Sequence, residues 1–147
     1  MRRADESLSF TVPGPPLPWM RAASRRGQRF TPKEQRAYQD KVRLCALAAG
    51  ARRMEGLLEL SVVAYLPDRR RRDWDNLGKQ VADALNGCAY EDDSQIWAAS
   101  VVKLLDGVRP RMEVTLRRLS PERAPLSPGR CRGCDDVTCR ACGGRAA

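Results

Sequence analysis

Residues 57–66 constrain the fold more than any other segment, because they have both the length and the pattern of a buried β-strand. Apolar residues alternate with other residues along the segment, and Pro67 ends it. The alternating apolar residues are Leu58, Leu60, Val62 and Ala64. Because Val63 and Tyr65 between them are apolar too, we expect both faces of this strand to be covered.

Two helices are predicted, one on each side of this strand along the chain. The first begins at a capping-box arrangement, with Thr31 as N-cap, Pro32 at the first helical position and Glu34 at the third, and it runs to about Ala49. The second covers residues 75–86. Their apolar positions are Tyr38, Val42, Cys45 and Ala49 in the first helix and Leu77, Val81 and Leu85 in the second. The glycines that offer helix stops are Gly50 and Gly87.

Three further strands complete the pattern. Residues 8–12 alternate until Pro13, and the segments 96–105 and 111–119 flank an Asp-Gly turn signal at 106–107. Residues 13–30 are rich in proline, glycine and arginine, and they predict a long loop. The order is β-α-β-α-β-β, which predicts an α/β or α+β domain with a mixed sheet and two helices.

The composition changes after Leu119. We predict a folded domain over residues 1–119, a proline- and serine-containing linker over 120–130, and a cysteine-rich tail over 131–147. Four tail cysteines form two C-x₂-C pairs, a pattern that suits a tetrahedral zinc site. They are Cys131, Cys134, Cys139 and Cys142. The alternative is a disordered tail whose cysteines are incidental.

The charge of the chain indicates an anionic partner. There are 27 lysines and arginines against 18 acidic residues, a net charge of +9, and 23 of the 27 are arginine. The planar fork of donors in arginine matches phosphate, so a nucleic acid is the natural partner. A coding bias towards arginine is the alternative explanation.

Three absences narrow the class of protein further. There is no histidine, which excludes His-based triads, His general bases and zinc sites that contain histidine. No apolar run approaches the roughly 18 residues that cross a bilayer. Residues 1–7 carry two acids and are not followed by the apolar core of a signal peptide. We therefore expect a cytoplasmic protein without a membrane partner.

The densest functional signal is the segment 68–77, where four arginines, Arg69, Arg70, Arg71 and Arg72, adjoin two carboxylates, Asp73 and Asp75. A second acidic cluster, residues 91–93, precedes the third predicted strand. Mg²⁺ prefers carboxylate oxygens together with water and substrate phosphate. Acids on two loops can meet at one ion when the strands beside them are neighbours. Such an ion can activate water against a phosphodiester, while the arginines hold its phosphates.

Each part of this signal also has a structural explanation. Asp73 or Asp75 could cap the second helix, and Asp92 and Asp93 could lie in a solvated turn. The arginine run could be a solvated face. Lys79, four residues after Asp75, could form a surface ion pair with it. The coincidence of these features in one short stretch favours a site.

The same residues resemble the RusA family of Holliday-junction resolvases. The matching motifs are residues 69–79, Asp83-Ala84-Leu85-Asn86, residues 90–96, the opening residues 10–16 and residues 31–38, so that the resemblance covers about residues 8–119. It implies a Mg²⁺-dependent endonuclease that resolves four-way DNA junctions as a homodimer. By position, Asp73, Asp75 and Asp93 would bind the metal. Lys79 would assist catalysis by stabilising developing charge or the leaving oxygen.

Two features depart from the family pattern, and two rival functions stay open. Trp74 stands where we expect an aliphatic residue, and we expect it to pack under the site rather than stack on a base or sugar. The segment 13–30 is poorly matched, which bears on junction selectivity. One rival is a non-catalytic nucleic-acid-binding module with a zinc-binding tail. The other is a less selective nuclease that acts on branched or flap DNA.

Overall fold

The computed structural model describes residues 6–21, 23–25, 28–30 and 32–120, and it contains two helices against one face of a four-stranded sheet. The strands are β1 (Ser7–Pro13), β2 (Ala23–Arg25), β3 (Gln28–Phe30), β4 (Leu58–Leu66), β5 (Ile96–Leu105) and β6 (Arg111–Arg118). The helices are α1 (Lys33–Ala48) and α2 (Trp74–Leu85), with a 3₁₀ turn at Asp93–Gln95. The predicted α+β class, with two helices and a mixed sheet, is confirmed.

The sheet has the strand order β1-β6-β4-β5. β4 and β5 are parallel, whereas β6 pairs antiparallel with both β1 and β4. The Asp-Gly turn at 106–107 therefore does not connect a β-hairpin. After β5 the chain crosses over β4, and β6 then pairs between β4 and β1. Asp106 ends β5 instead, where its carboxylate accepts hydrogen bonds from the backbone N–H groups of Val108 (3.1 Å) and Arg109 (2.9 Å).

One face of the sheet carries the core. Along β4 and β6 every second side chain is buried, and these side chains pack beneath the helices. The expectation that both faces of β4 are covered is wrong for the described residues, since Val63 and Tyr65 are only half-buried. Tyr65 is partly covered by a side chain of β6, because the Arg111 guanidinium carbon lies 3.6 Å from its ring centroid.

Three local expectations need correction. The predicted loop 13–30 contains a short antiparallel hairpin, β2 with β3. Pro32 is extended (ψ 138°) and precedes α1 rather than opening it, and its carbonyl accepts the Arg36 N–H at 3.2 Å. Thr31 lies outside the described residues. The buried residues of α1 are Gln35, Tyr38, Val42 and Ala46, so Ala46 replaces the predicted Ala49.

The second helix follows its prediction closely. Leu77, Val81 and Leu85 are fully buried, and Gly87 ends the helix with φ +74°. Gly78 sets the approach of α2 to the sheet, because a Cβ there would lie 2.9 Å from a Val101 methyl carbon on β5. Helix α2, which begins at the two acids Asp73 and Asp75, is therefore fixed against the edge strand β5.

Because two tyrosines are buried, we expect the protein to lose stability at alkaline pH. Burial raises the pKa of Tyr38 to about 12 and raises the pKa of Tyr90 further. Above pH 10 the unfolded chain releases these protons while the folded chain keeps them, so the free energy of unfolding falls. Each tyrosine contributes at most about 1.4 kcal/mol per pH unit.

This loss can be measured by urea unfolding at pH 9, 10 and 11. Tyr38→Phe should make the fall between pH 10 and 11 shallower. An equal fall in the wild type and the variant would contradict a buried, neutral Tyr38.

The linker and tail fall outside the described residues from residue 121 onward. The predicted zinc ligands Cys131, Cys134, Cys139 and Cys142 therefore have no structural account, and the boundaries at 119 and 130 stay predictions. Within the part of the chain that the structure describes, no helix has the length and apolar character of a membrane span.

Candidate active site

The loop from residue 67 to residue 73 is organised around Asp68. Its carboxylate accepts hydrogen bonds from the Arg70 backbone N–H at 2.9 Å and from Arg72 Nη1 at 2.7 Å. The bond from Arg72 is the larger cause that holds the pKa of Asp68 below its usual range, followed by the bond from Arg70. Since the Arg72 side chain is only 14% exposed, Asp68 fixes it inside the loop.

The remaining arginines of the run point to solvent. The side chains of Arg70 and Arg71 are 84% and 91% exposed, and Arg69 is exposed as well. The Arg72 carbonyl accepts a hydrogen bond from Lys103 Nζ of β5 at 2.9 Å. Three of the four arginines that we predicted to hold phosphate are thus open to a ligand, whereas Arg72 has a structural role.

Asp73 and Asp75 lie at the N-terminus of α2. Asp73 occupies the N-cap position with extended backbone, yet its side chain makes no capping hydrogen bond within the described residues. Its Oδ1 lies 3.4 Å from Arg71 Nε. The Asp75 Oδ1 accepts the Asn76 backbone N–H at 2.9 Å. Both residues are exposed, so capping does not account for Asp73, and two carboxylates face solvent beside the open arginines.

The second acidic cluster divides into a cap and a half-buried acid. Asp92 caps the 3₁₀ turn, where its Oδ2 accepts the Ser94 N–H at 3.1 Å and Gln95 completes a capping box. The Ser94 side chain is the largest cause that lowers the pKa of Asp92, followed by the hydrogen bond from the Ser94 backbone N–H. Asp93 is half-buried, and its charge contributes to raising the pKa of Asp83, so it lies near the last turns of α2. The solvated-turn interpretation therefore fits Asp92 and not Asp93.

The three predicted metal ligands do not meet within one chain. Among the described residues, no group of three or more acidic or cysteine side chains is placed to hold a metal ion. β4 and β5 are neighbours, as expected, but they are parallel. The loop after β4 and the loop before β5 therefore lie at opposite ends of the sheet, and α2 spans the distance between them. Asp75 and Asp83 alone are separated by about 12 Å along the helix axis.

Lys79 lies between the two acidic ends, and its partners differ from those predicted. Its Nζ is 3.8 Å from Asp83 Oδ2 and 5.0 Å from the centroid of the Trp19 ring. The ion pair of Lys79 is with Asp83 and not with Asp75, the partner considered as an alternative from the sequence. Neither Asp83 nor Trp19 was predicted from the sequence to belong to the site. The spacing of four residues from Lys79 could have identified Asp83, whereas no local pattern marks Trp19.

Trp74 does not pack under the site. It is 62% exposed at the first position of α2, between the two acids. The expectation of packing is therefore wrong, and the other role that we considered, contact with a base or sugar, stays open.

Comparison with known proteins gives consistent matches over the described domain. The model of the family described as Endodeoxyribonuclease RusA matches residues 13–117. Crossover junction endodeoxyribonuclease RusA of Escherichia coli (strain K12) is 33% identical over 120 residues, which cover 79% of this chain and 98% of the relative. Crossover junction endodeoxyribonuclease rusA of Enterobacteria phage 82 is 33% identical over 117 residues, 77% of this chain and 96% of the relative.

The fold, the exposed carboxylates and these matches define the class of protein. The chain is an endodeoxyribonuclease, a hydrolase that cuts phosphodiester bonds within DNA. It belongs to the RusA family, as its motifs indicated.

Proposed function

We propose that this protein is a Mg²⁺-dependent endonuclease that resolves four-way DNA junctions by paired cleavage. The observation that carries the proposal is the exposed pair Asp73 and Asp75 at the N-terminus of α2, beside the open side chains of Arg70 and Arg71. The substrate follows the relatives, which are named crossover junction endodeoxyribonucleases. Carboxylates alone would repel a phosphodiester, so the adjoining arginines give the site its affinity for DNA.

The donor set suits a hard divalent cation. Asp73, Asp75 and Asp93 would supply carboxylate oxygens to Mg²⁺. When bound, Mg²⁺ activates water and neutralises charge on the phosphodiester. The exposed arginines would orient the phosphates of the strand. The Lys79 ammonium would stabilise the charge that develops on the leaving oxygen.

A second copy of the chain would complete this donor set. The first support is the separation of the acids, since Asp93 lies towards the far end of α2 from Asp73 and Asp75. The second support is β5, an edge strand of ten residues with exposed apolar side chains. Trp97, Val102, Leu104 and Leu105 of β5 are between 44% and 58% exposed. We therefore propose that β5 forms the centre of a homodimer interface.

A two-fold axis beside β5 would join the separated acids. It would pair the two β5 strands antiparallel, so that the start of one strand lies beside the end of the other. The loop that leads to Asp73 lies at the end of β5, because Lys103 Nζ donates to the Arg72 carbonyl. The partner's Asp93 precedes the start of the partner's β5. The two-fold therefore brings the partner's Asp93 towards Asp73 and Asp75, and it creates two equivalent sites for two matched cuts.

Cleavage of a labelled four-way junction tests the proposal, with Mg²⁺ or EDTA, beside the near-isosteric variant Asp73→Asn. We expect paired nicks in Mg²⁺ and none in EDTA. The variant should lose more than about 100-fold in rate, because even outer-shell partners of metal ligands are worth about 10- to 100-fold. Its affinity for the junction should be retained, since it loses a negative charge and no arginine.

Two outcomes would assign a different function. Tight junction binding without any cut, across several divalent ions, would favour the non-catalytic binding module. Equal cutting of junction, fork, flap and linear duplex would favour the less selective nuclease. The exposed arginines fit all three functions, so only the products distinguish them.

Two further proposals concern location and the tail. We propose cytoplasmic residence, which suits an enzyme that acts on intracellular DNA. We also propose that Cys131, Cys134, Cys139 and Cys142 bind zinc as four thiolates, on the support of their spacing alone. Release of one zinc ion per chain on thiol modification would support this site, and a zinc content of zero after purification with added zinc would contradict it.

A further inference from the structure

We infer that Trp19 and Asp83 are positioning residues that hold the Lys79 ammonium between them, in the place from which it acts on the DNA. The inference rests on the proposed catalytic role of Lys79. Lys79 Nζ lies 3.8 Å from Asp83 Oδ2 and 5.0 Å from the centroid of the Trp19 ring. Asp83 presents a negative charge to the ammonium, and Trp19 presents the negative face of its aromatic ring. A long, flexible side chain on an exposed helix face is thereby restricted.

Trp19 is itself anchored to both helices. Its backbone N–H donates to the Asn76 carbonyl on α2 at 2.9 Å. The next residue, Met20, donates its N–H at 2.8 Å to Oε1 of Gln35, which is buried on α1. The ring is half-buried as a result. The loop after β1 therefore places the Trp19 side chain against α2, and two hydrogen bonds fix the backbone of this loop.

Asp83 completes the arrangement because it lies beside both partners. It pairs with Lys79, and the Trp19 side chain, whose ring lies against the same ammonium, is near enough to act on its pKa. Burial raises the pKa of Asp83, and the charge of Asp93 adds to this, whereas Lys79 and Trp19 act in the opposite direction. Its side chain is 26% exposed, against 48% for Lys79. Asp83 thus lies beside both the Trp19 ring and the Lys79 ammonium, and it is less exposed than Lys79.

Trp19 belongs to the segment 13–30, which the sequence predicts only as a long loop. Its side chain covers one side of Lys79. The three side chains together form a unit, which we name the lysine clamp: Trp19, Lys79 and Asp83. The clamp lies along α2 between the paired acids and the end that faces Asp93.

A double-mutant cycle on single-turnover junction cleavage tests the lysine clamp. With Lys79 present, Asp83→Asn should slow cleavage by about tenfold, since displacement of a catalytic group by about 1 Å can cost up to about 100-fold. The dissociation constant of the junction should change by less than about twofold. In the Lys79→Met background Asp83→Asn should have no further effect, because groups that act through one another are not additive. Asp83→Glu should recover part of the rate.

The matched control is Asp40→Asn, which removes an exposed carboxylate paired with Arg43 on α1. Its rate should equal that of the wild type. An equal slowing by Asp83→Asn with and without Lys79 would overturn the inference. The inference would also be overturned if Asp83→Asn lowered the unfolding midpoint and this loss of stability accounted for the slower cleavage.

A spectroscopic measurement separates failure of the clamp from failure of the proposed function. The indole ¹H–¹⁵N signal of Trp19, assigned by its loss in Trp19→Phe, should move upfield in Asp83→Asn, while the signals of Trp74 and Trp97 stay in place. An unmoved Trp19 signal would refute the clamp even in an active enzyme. If the wild type cuts no junction, the proposed function and the role of the clamp in it both fail.

Discussion

Mixing the Asp73→Asn and Asp93→Asn variants should restore DNA cleavage that neither variant supports alone. In the proposed dimer each site takes Asp73 and Asp75 from one chain and Asp93 from its partner. A mixed dimer therefore has one site with both substitutions and one site with neither. Random exchange of equal amounts makes about half of the dimers mixed, so the mixture should recover about a quarter of the wild-type sites.

The products provide a second readout. A mixed dimer has a single intact site, so it should nick one strand of the junction where the wild type makes two matched cuts. Denaturing gels with each of the four strands labelled in turn would show this difference.

The matched control mixes Asp73→Asn with Asp75→Asn. Both residues lie at the N-terminus of α2 and would serve the same site, so every site of their mixed dimer carries one of the substitutions, and no activity should return. Restoration in this control would contradict the proposed division of the ligands. An inactive Asp73→Asn and Asp93→Asn mixture, with mixed dimers verified by mass, would place all three ligands in one chain.

The largest stability effect is expected at Leu77, which is fully buried in α2 between the two paired acids and Lys79. Leu77→Ala should lower the free energy of unfolding by about 3 kcal/mol, through the lost apolar contacts and the cavity left behind. Urea unfolding followed by circular dichroism measures it. Wild type and variant should be compared at equal protein concentration, because a dimer is stabilised by mass action.

Leu44→Ala on α1 is the control for Leu77→Ala. The chemical change is the same and also lies within a helix, but Leu44 is 66% exposed. Its effect should stay within about 0.5 kcal/mol. Equal effects at the two positions would contradict the placement of α2 against the sheet.

The elements of the fold were predictable because their patterns are local. The period of Leu77, Val81 and Leu85 defines α2 to within one residue at each end, and alternation defines β4. The pairing of strands was not predictable in the same way. Nothing local to residues 111–118 shows that this strand enters between β1 and β4 instead of pairing with its predecessor β5.

The sequence predicts the candidate site as a list of residues, and it does not predict how they are arranged in space. Exposed acids and arginines in one run identify the loop before α2, but their spacing does not show that Arg72 is held by Asp68. The expected meeting of Asp73 with Asp93 depended on the direction of β5, which the sequence leaves open. Trp19 and Lys79 are far apart in the chain, so their contact depends on tertiary structure alone.

The central place of β6 has a consequence for how the chain folds. β1 finds its sheet partner across more than a hundred residues, with Ser9 opposite Thr115, and β4 lacks one of its two neighbours until the same strand arrives. Pairings this distant in sequence slow folding, because the loop must close before the contacts form. During synthesis, β1 and β4 therefore remain unjoined until residue 118 has left the ribosome, and the complete sheet beneath α2 is among the last features to form.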